Sequence, residues 1–354
     1  MTFSSLRRAL AAAAAAALLL TAAGCGKKDT SILEPSSVPT TTTTTTAPQP
    51  VLGLNRLTGL HDMETDNDRP IGVVVTDESA TLVQINLEKA DMFFEAETEA
   101  GIPRILAIFS SVDRLPDEIG PVRSARPHFV KFAKALDCIY CHIGGSQTGL
   151  ETIQTLKVDD ITGCETVNAV LKNSQNYSWN RKTFVRDKVL SRVDSRKMRK
   201  TTTAAVPFQF GKKAGSATAN TLVVKLSEAY DMAFTYDAEK GQYLKHRSSL
   251  DTPVHTTHTG GPIAVSNVIV MYDHRTLDEV YSSGGHTANR YDFDLKSGSG
   301  LLASGGTSRE IRWTNSSDGL HYYESDGVTP LTVAEGKTFV CLASDTLRGR
   351  TTVS

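Results

Sequence analysis

The chain has 354 residues, with 38 Lys and Arg against 39 Asp and Glu, for a formal charge of −1. Near-neutrality argues against a general nucleic-acid binder, which needs a basic face to displace counterions. With 40% hydrophobic and 22% charged residues it has the composition of a globular protein, and the roughly 300 residues beyond residue 50 are enough for two domains or lobes.

The first segment is a targeting signal. Arg7 and Arg8 form a basic end, Ala9 to Ala23 an apolar run too short to span a bilayer, and Ala23-Gly24-Cys25 a small-residue cleavage site. A cysteine in that place resembles a lipobox, although Ala22 stands where leucine is usual. We expect residues 1–24 to be a lipoprotein signal peptide and Cys25 to carry a lipid on the extracytoplasmic face of the cell membrane. Removing residues 1–24 takes two arginines and no acid, moving the formal charge from −1 to −3. Residues 25–50 include seven consecutive threonines, Thr40 to Thr46, and read as a disordered linker.

Strand-like runs follow at Ile71–Val75, Asp91–Ala96 and Ile105–Ser110. Phe129, Phe132, Ala133 and Leu136 then repeat at helical spacing. Cys138–Ile143 reads as a strand, Gly144-Gly145-Ser146 as a turn, and Leu150, Ile153 and Leu156 as a second helical stripe. Residues 199–220 are polar and connect to a β-rich part, with strands expected at 221–226, 232–236, 243–246, 267–272, 290–295, 310–314, 321–324 and 338–342. The expected fold is mixed α/β and α+β: an N-terminal α/β domain over residues 51–205 and a C-terminal β-rich domain over 215–350.

Glu118–Phe129, EIGPVRSARPHF, puts two arginines at a helix entry. Free amides and the helix dipole make such an end positive, so cations there invite an anion between them. With Ser124 as N-cap, Pro127 falls at the third helical position, and Arg123 and Arg126 flank the free amides. Guanidinium forks bind carboxylate or phosphate in two-pronged fashion. Ordinary ion pairing with Asp117, Glu118 or Glu95 is the alternative. Gly144, Gly145 and Ser146, after His142, form a strand-to-helix turn whose amides could approach a ligand. It is neither a nucleophile elbow nor a phosphate loop, and His142 also suits a satisfied core position.

Cys138-Ile-Tyr-Cys141 has redox spacing, but a strand turns the two thiols apart, so both read as buried structural cysteines. Pairing of Cys164 with Cys341 stays open. His255 and His258 lack a helix and a third ligand, so no metal and no cofactor is expected.

These residues resemble the YerB-like lipoproteins, a bacterial family of unknown function with an N-terminal α/β part and a C-terminal β-rich part. The resemblance rests on Ile119–Arg126 (IGPVRSAR), His142–Ser146 (HIGGS), Glu99–Arg104, Asn267–Val270, Gly298–Gly300 and Gly336–Thr338. It departs at Leu82, where the family pattern has arginine, and at Trp179, where it has histidine. The pattern's retention of Arg104, Arg123 and Arg126 favours a site over incidental ion pairs.

The expected site is therefore Arg104, Arg123, Ser124 and Arg126 with His142, Gly144, Gly145 and Ser146, oriented from behind by Glu95 and Glu99. It would hold an anionic small molecule or an envelope polymer or protein. One alternative is a cell-envelope hydrolase or transferase using Glu95 or His142 as base; another is an interaction module with the arginines locked in ion pairs.

Overall fold

The computed structural model describes residues 52–77, 83–169, 171, 178–283 and 285–354. The expected signal peptide, Cys25 and the threonine-rich linker lie outside these residues. The first half supplies β1 (Ile71–Thr76), β2 (Met92–Glu97), β3 (Pro103–Phe109), α1 (Pro127–Ala135), β4 (Ile139–Cys141), α2 (Gln147–Leu156), β5 (Asp160–Ile161) and α3 (Arg186–Ser195). The second half supplies β6 (Ala217–Thr218), β7 (Thr221–Lys225), β8 (Asp231–Asp237), β9 (Gln242–Lys245), β10 (Ala264–Val265), β11 (Asn267–Asp273), β12 (Arg275–Ser283) and β13 (His286–Phe293). It continues with β14 (Ser297–Ser304), β15 (Thr307–Ser316), β16 (Gly319–Glu324), β17 (Thr338–Ser344) and β18 (Thr352–Val353).

One sheet crosses both halves. Its order is β6-β15-β14-β11-β17-β2-β3-β1-β4-β5, with β16 also paired to β15. The halves meet where β17 runs parallel to β2, Thr338 opposite Met92 and Leu342 opposite Ala96. Period-two alternation assigns the faces. Val73, Val75, Phe93, Val268 and Val270 point to one core, while Val74, Phe94, Ile269 and Met271 point to the other. Strands buried on both faces carry continuous apolar runs, which is why IGVVVT and NVIVMYD lack polar alternation.

A second sheet, β10-β9-β8-β7-β18, covers the first face together with α3 through Leu222, Phe234, Tyr243, Val189 and Val193. Helices α1 and α2 cover the other, and Phe94 stacks on Phe132 with ring centroids 3.9 Å apart. The described chain is thus strand-rich with several sheets. A mixed fold is present, with the three described α-helices in the first half, but helix content is low for an α/β lobe. The halves share a sheet instead of each closing one.

The start of α1 differs from the expected cap. Arg126, not Ser124, is the N-cap, extended at φ −136° and ψ 150°, and Pro127 opens the helix. The residue before proline disfavours helical angles. The preceding backbone is also committed elsewhere: Arg123 N–H donates to Val74 O at 2.8 Å and Ala125 N–H to Gly144 O at 3.0 Å.

Candidate functional site: an arginine-walled cavity

Arg104 sits on β3, and Arg123, Ser124 and Arg126 sit on the extended entry to α1. A cavity of about 300 Å³ takes all four into its wall, with Glu99, Thr98 and Tyr281. Glu99 is the acid that organises the arginines. Arg104 Nη2 donates to Glu99 Oε1 at 2.8 Å, and Arg126 Nε donates to Glu99 Oε2 at 2.8 Å. Arg126 Nη2 also donates to Oε1. Backbone carbonyls take further donors: Arg104 Nη1 reaches Ser124 O at 2.9 Å and Arg126 Nη1 reaches Ala125 O at 2.7 Å. Arg123 Nη2 donates to Asn180 Oδ1 at 2.7 Å.

The electrostatics follow from two guanidiniums sharing one carboxylate. Burial works against the Glu99 charge, but Arg104 and Arg126 outweigh it and hold the carboxyl far below its usual range. Burial and the Arg126 charge push Arg104 down to about 10, against the opposing pull of Glu99. Arg290, on β13, adds another cation, its Nε 3.6 Å from Glu99 Oε2 while Nη1 donates to Glu279. Glu99 was expected behind the arginines and lies between them instead. None of Asp117, Glu118 or Glu95 is the acid that pairs Arg104 and Arg126; Glu118 instead accepts from Asn168 and Thr183.

The glycine turn stands behind the cavity and is not part of its wall. Ser146 N–H donates to Ala125 O at 3.2 Å, and the Ser146 hydroxyl caps α2 by accepting from Gly149 N–H. Gly145 packs closely under Leu150, whose exposed side chain would have to shift to admit a Cβ, the Cδ2 contact being 2.8 Å. His142 is held by Gly144 O at 2.6 Å and Asp160 Oδ2 at 3.3 Å, the satisfied core arrangement.

Glu95 lies elsewhere too. It is fully buried in a second polar cluster, 3.5 Å from Lys245 Nζ, which in turn lies 2.8 Å from Asp77 Oδ2. Gln84 and His255 complete this cluster, with His255 Nε2 2.9 Å from Gln84 Oε1, while His258 is exposed. Cys138, Cys141, Cys164 and Cys341 are buried free thiols. Burial raises the Cys138 and Cys141 pKa, the reverse of what a redox pair needs.

Sequence reasoning missed Arg290 and Tyr281, which reach Glu99 and the cavity wall from a hairpin more than 150 residues further along the chain. Leu82 lies outside the described residues, as does the Trp179 side chain. A larger groove of about 680 Å³ between α1, α2 and the hairpin carries Lys131 and Lys134 against Glu151, Asp278, Asp292 and Asp294. Its acid excess makes it the poorer place for an anion.

The architecture defines a strand-rich mixed protein in which two halves share one sheet. The family models agree with this division: "Protein of unknown function (DUF3048) N-terminal domain" matches residues 57–204 and its C-terminal domain matches 222–340. The chain belongs to this family. A Bacillus subtilis (strain 168) protein named "Putative lipoprotein YerB" is 28% identical over 263 residues, 73% of this chain and 76% of that one. The crystal structure of YerB protein from Bacillus subtilis has the same fold, with a TM-score of 0.70 at 24% identity over 85% of this chain and 99% of that chain.

Proposed function

We propose that the protein is a membrane-anchored, extracytoplasmic lipoprotein that holds a carboxylate- or phosphate-bearing ligand in the cavity walled by Arg104, Arg123 and Arg126. The observation that carries this reading is the sharing of Glu99 by Arg104 and Arg126 at the wall of a cavity of about 300 Å³. Two forks on one carboxylate leave positive potential that an anion would neutralise. Neither proposed base, Glu95 or His142, lines that cavity, so binding is favoured over hydrolysis or transfer.

The anchor rests on Arg7, Arg8, the apolar run and Cys25, supported by the lipoprotein name of the Bacillus relative. In this reading residues 1–24 are removed, 25–50 form the tether, and 51–205 and 215–350 are the two domains. A Cys25→Ser chain should then appear in the soluble fraction, whereas the parent partitions into detergent; equal partitioning would remove the anchor.

Thermal unfolding of the full chain in inorganic phosphate, against matched ionic strength of chloride, tests the site. At 100 times its dissociation constant an anion adds about 2.7 kcal/mol. A phosphate-specific rise in Tm that Arg126→Lys abolishes supports the reading. No rise in phosphate, citrate or a sugar phosphate leaves the arginines as internal ion pairs and the protein as an interaction module.

A further inference from the structure

The second polar cluster is built from distant parts of the chain. Asp77 follows β1, Glu95 lies within β2 and Lys245 ends β9, so residues of both halves meet between the central sheet and the covering sheet. Lys245 and Glu95 are wholly buried. Lys245 Nζ lies 2.8 Å from Asp77 Oδ2 and 3.5 Å from Glu95 Oε2, and 5.8 Å from the centre of the Phe339 ring. Phe93 and Phe234 pack on that ring. Gln84 Nε2 donates to the other Asp77 oxygen, Oδ1, at 3.0 Å.

Glu95 decides the chemistry. Neither of its oxygens receives a hydrogen bond, a state that costs a buried carboxylate far more than a neutral carboxylic acid. Burial raises its pKa well above the usual range, with the Asp77 charge alongside and only Lys245 opposing. Asp77, by contrast, is kept ionised: burial opposes its charge, but Lys245 and His255 outweigh burial and lower its pKa. Burial also opposes the Lys245 charge, but Asp77 first and Glu95 second outweigh it and raise the Lys245 pKa, so Lys245 and Asp77 rest as an ion pair. An amine within 3.5 Å of two carboxyl groups, away from water, supplies the components of an amide condensation.

We propose that Lys245 and Asp77 are joined by an amide bond between Nζ and Cγ, formed in the folded chain with Glu95 as proton carrier. The ammonium first passes a proton to Asp77 Oδ2 across their hydrogen bond, leaving a neutral amine and a carboxylic acid. The Nζ lone pair then forms the N–Cγ bond, and the carbonyl electron pair moves onto Oδ1, where the Gln84 amide donates. As that pair returns, the Cγ–Oδ2 bond breaks. Glu95 gives its proton to the departing oxygen and takes one from the nitrogen, so it ends protonated as it began. One N–C bond replaces one C–O bond, one water is released, and nothing is oxidised or reduced. Burial drives the step because the ionic reactants have lost their hydration, whereas the amide is neutral and needs no counterion.

Peptide mapping of the denatured full-length chain tests this. Trypsin should yield the Asp77 peptide joined to the Lys245 peptide at one water below their summed mass. It should not cut after Lys245, whose amine is no longer charged. Lys245→Arg, which keeps the charge but cannot form this bond, should give linear peptides, and so should Glu95→Gln. Linear Asp77 and Lys245 peptides from the parent chain overturn the proposal. Full cross-linking in Glu95→Gln overturns the role of Glu95.

Discussion

Glu99 holds two arginines that would otherwise repel one another in a largely buried place. Its removal leaves Arg104 and Arg126 without their shared carboxylate, and breaking a buried pair in this way costs about 3 kcal/mol. A Glu99→Ala chain should therefore lose stability by about that amount in chloride and recover part of it in millimolar phosphate or acetate, which can enter the vacated space. Denaturant midpoints in the two buffers check this; equal loss in both would show that the space admits no anion. Arg123 and Arg126 were legible in the sequence because they are cations beside a predicted helix entry. Glu99 stood in the same matched segment as Arg104, but which acid pairs with which arginine depends on β2 and β3 pairing antiparallel, which no spacing reveals. The glycine turn was legible as a turn but not as a buttress, because its Ser146 amide and Gly144 carbonyl are taken by a bridge to Ala125 that no spacing reveals.

Among elements, strands buried on both faces and helices with an apolar stripe were readable, and the exceptions have physical causes. Strand β14 reads SGSGLLAS, the composition of a turn. Its glycines admit close neighbours, since a Cβ on Gly300 would meet Val270 O at 2.3 Å. Strand β12 belongs to a two-stranded hairpin with Leu277 and Val280 exposed, so it shows no buried face. Helix α3 buries only Val189 and Val193 along its length. In α1, by contrast, the stripe is anchored by Phe94 between Phe129 and Phe132. Phe94→Ala should cost about 3–5 kcal/mol, measured by chemical unfolding. A loss below 1 kcal/mol would mean that the helix does not depend on this contact.

At the scale of the molecule, the shared sheet predicts a single unfolding transition for both halves, because β2 and β17 cannot separate without breaking the sheet. Calorimetry resolving two transitions would contradict it. Acid should weaken the whole. Burial, with nearby cations, pushes His128 down to about 3, and burial likewise lowers His255 to about 3. The unfolded chain binds their protons below about pH 6.5 while the folded chain does not. Stability present above that pH should thus fall as pH drops toward 3, by about 1.4 kcal/mol per pH unit for each histidine. Carboxyls with raised pKa values, such as Glu95, act in the opposite sense in this window, so the histidines are followed directly. Imidazole NMR signals of His128 and His255 that titrate between about pH 6.5 and 4.5 in the folded chain would contradict the buried neutral state. The cavity itself lies on the seam, with arginines from the first half and Tyr281 and Arg290 from the second. Whether that seam holds an anion is most directly read by calorimetric titration of the full chain with inorganic phosphate at low salt. Glu99→Gln should bind more tightly than the parent, and Arg126→Lys more weakly. Equal heats from all three chains, or none, would contradict an anion site at these arginines.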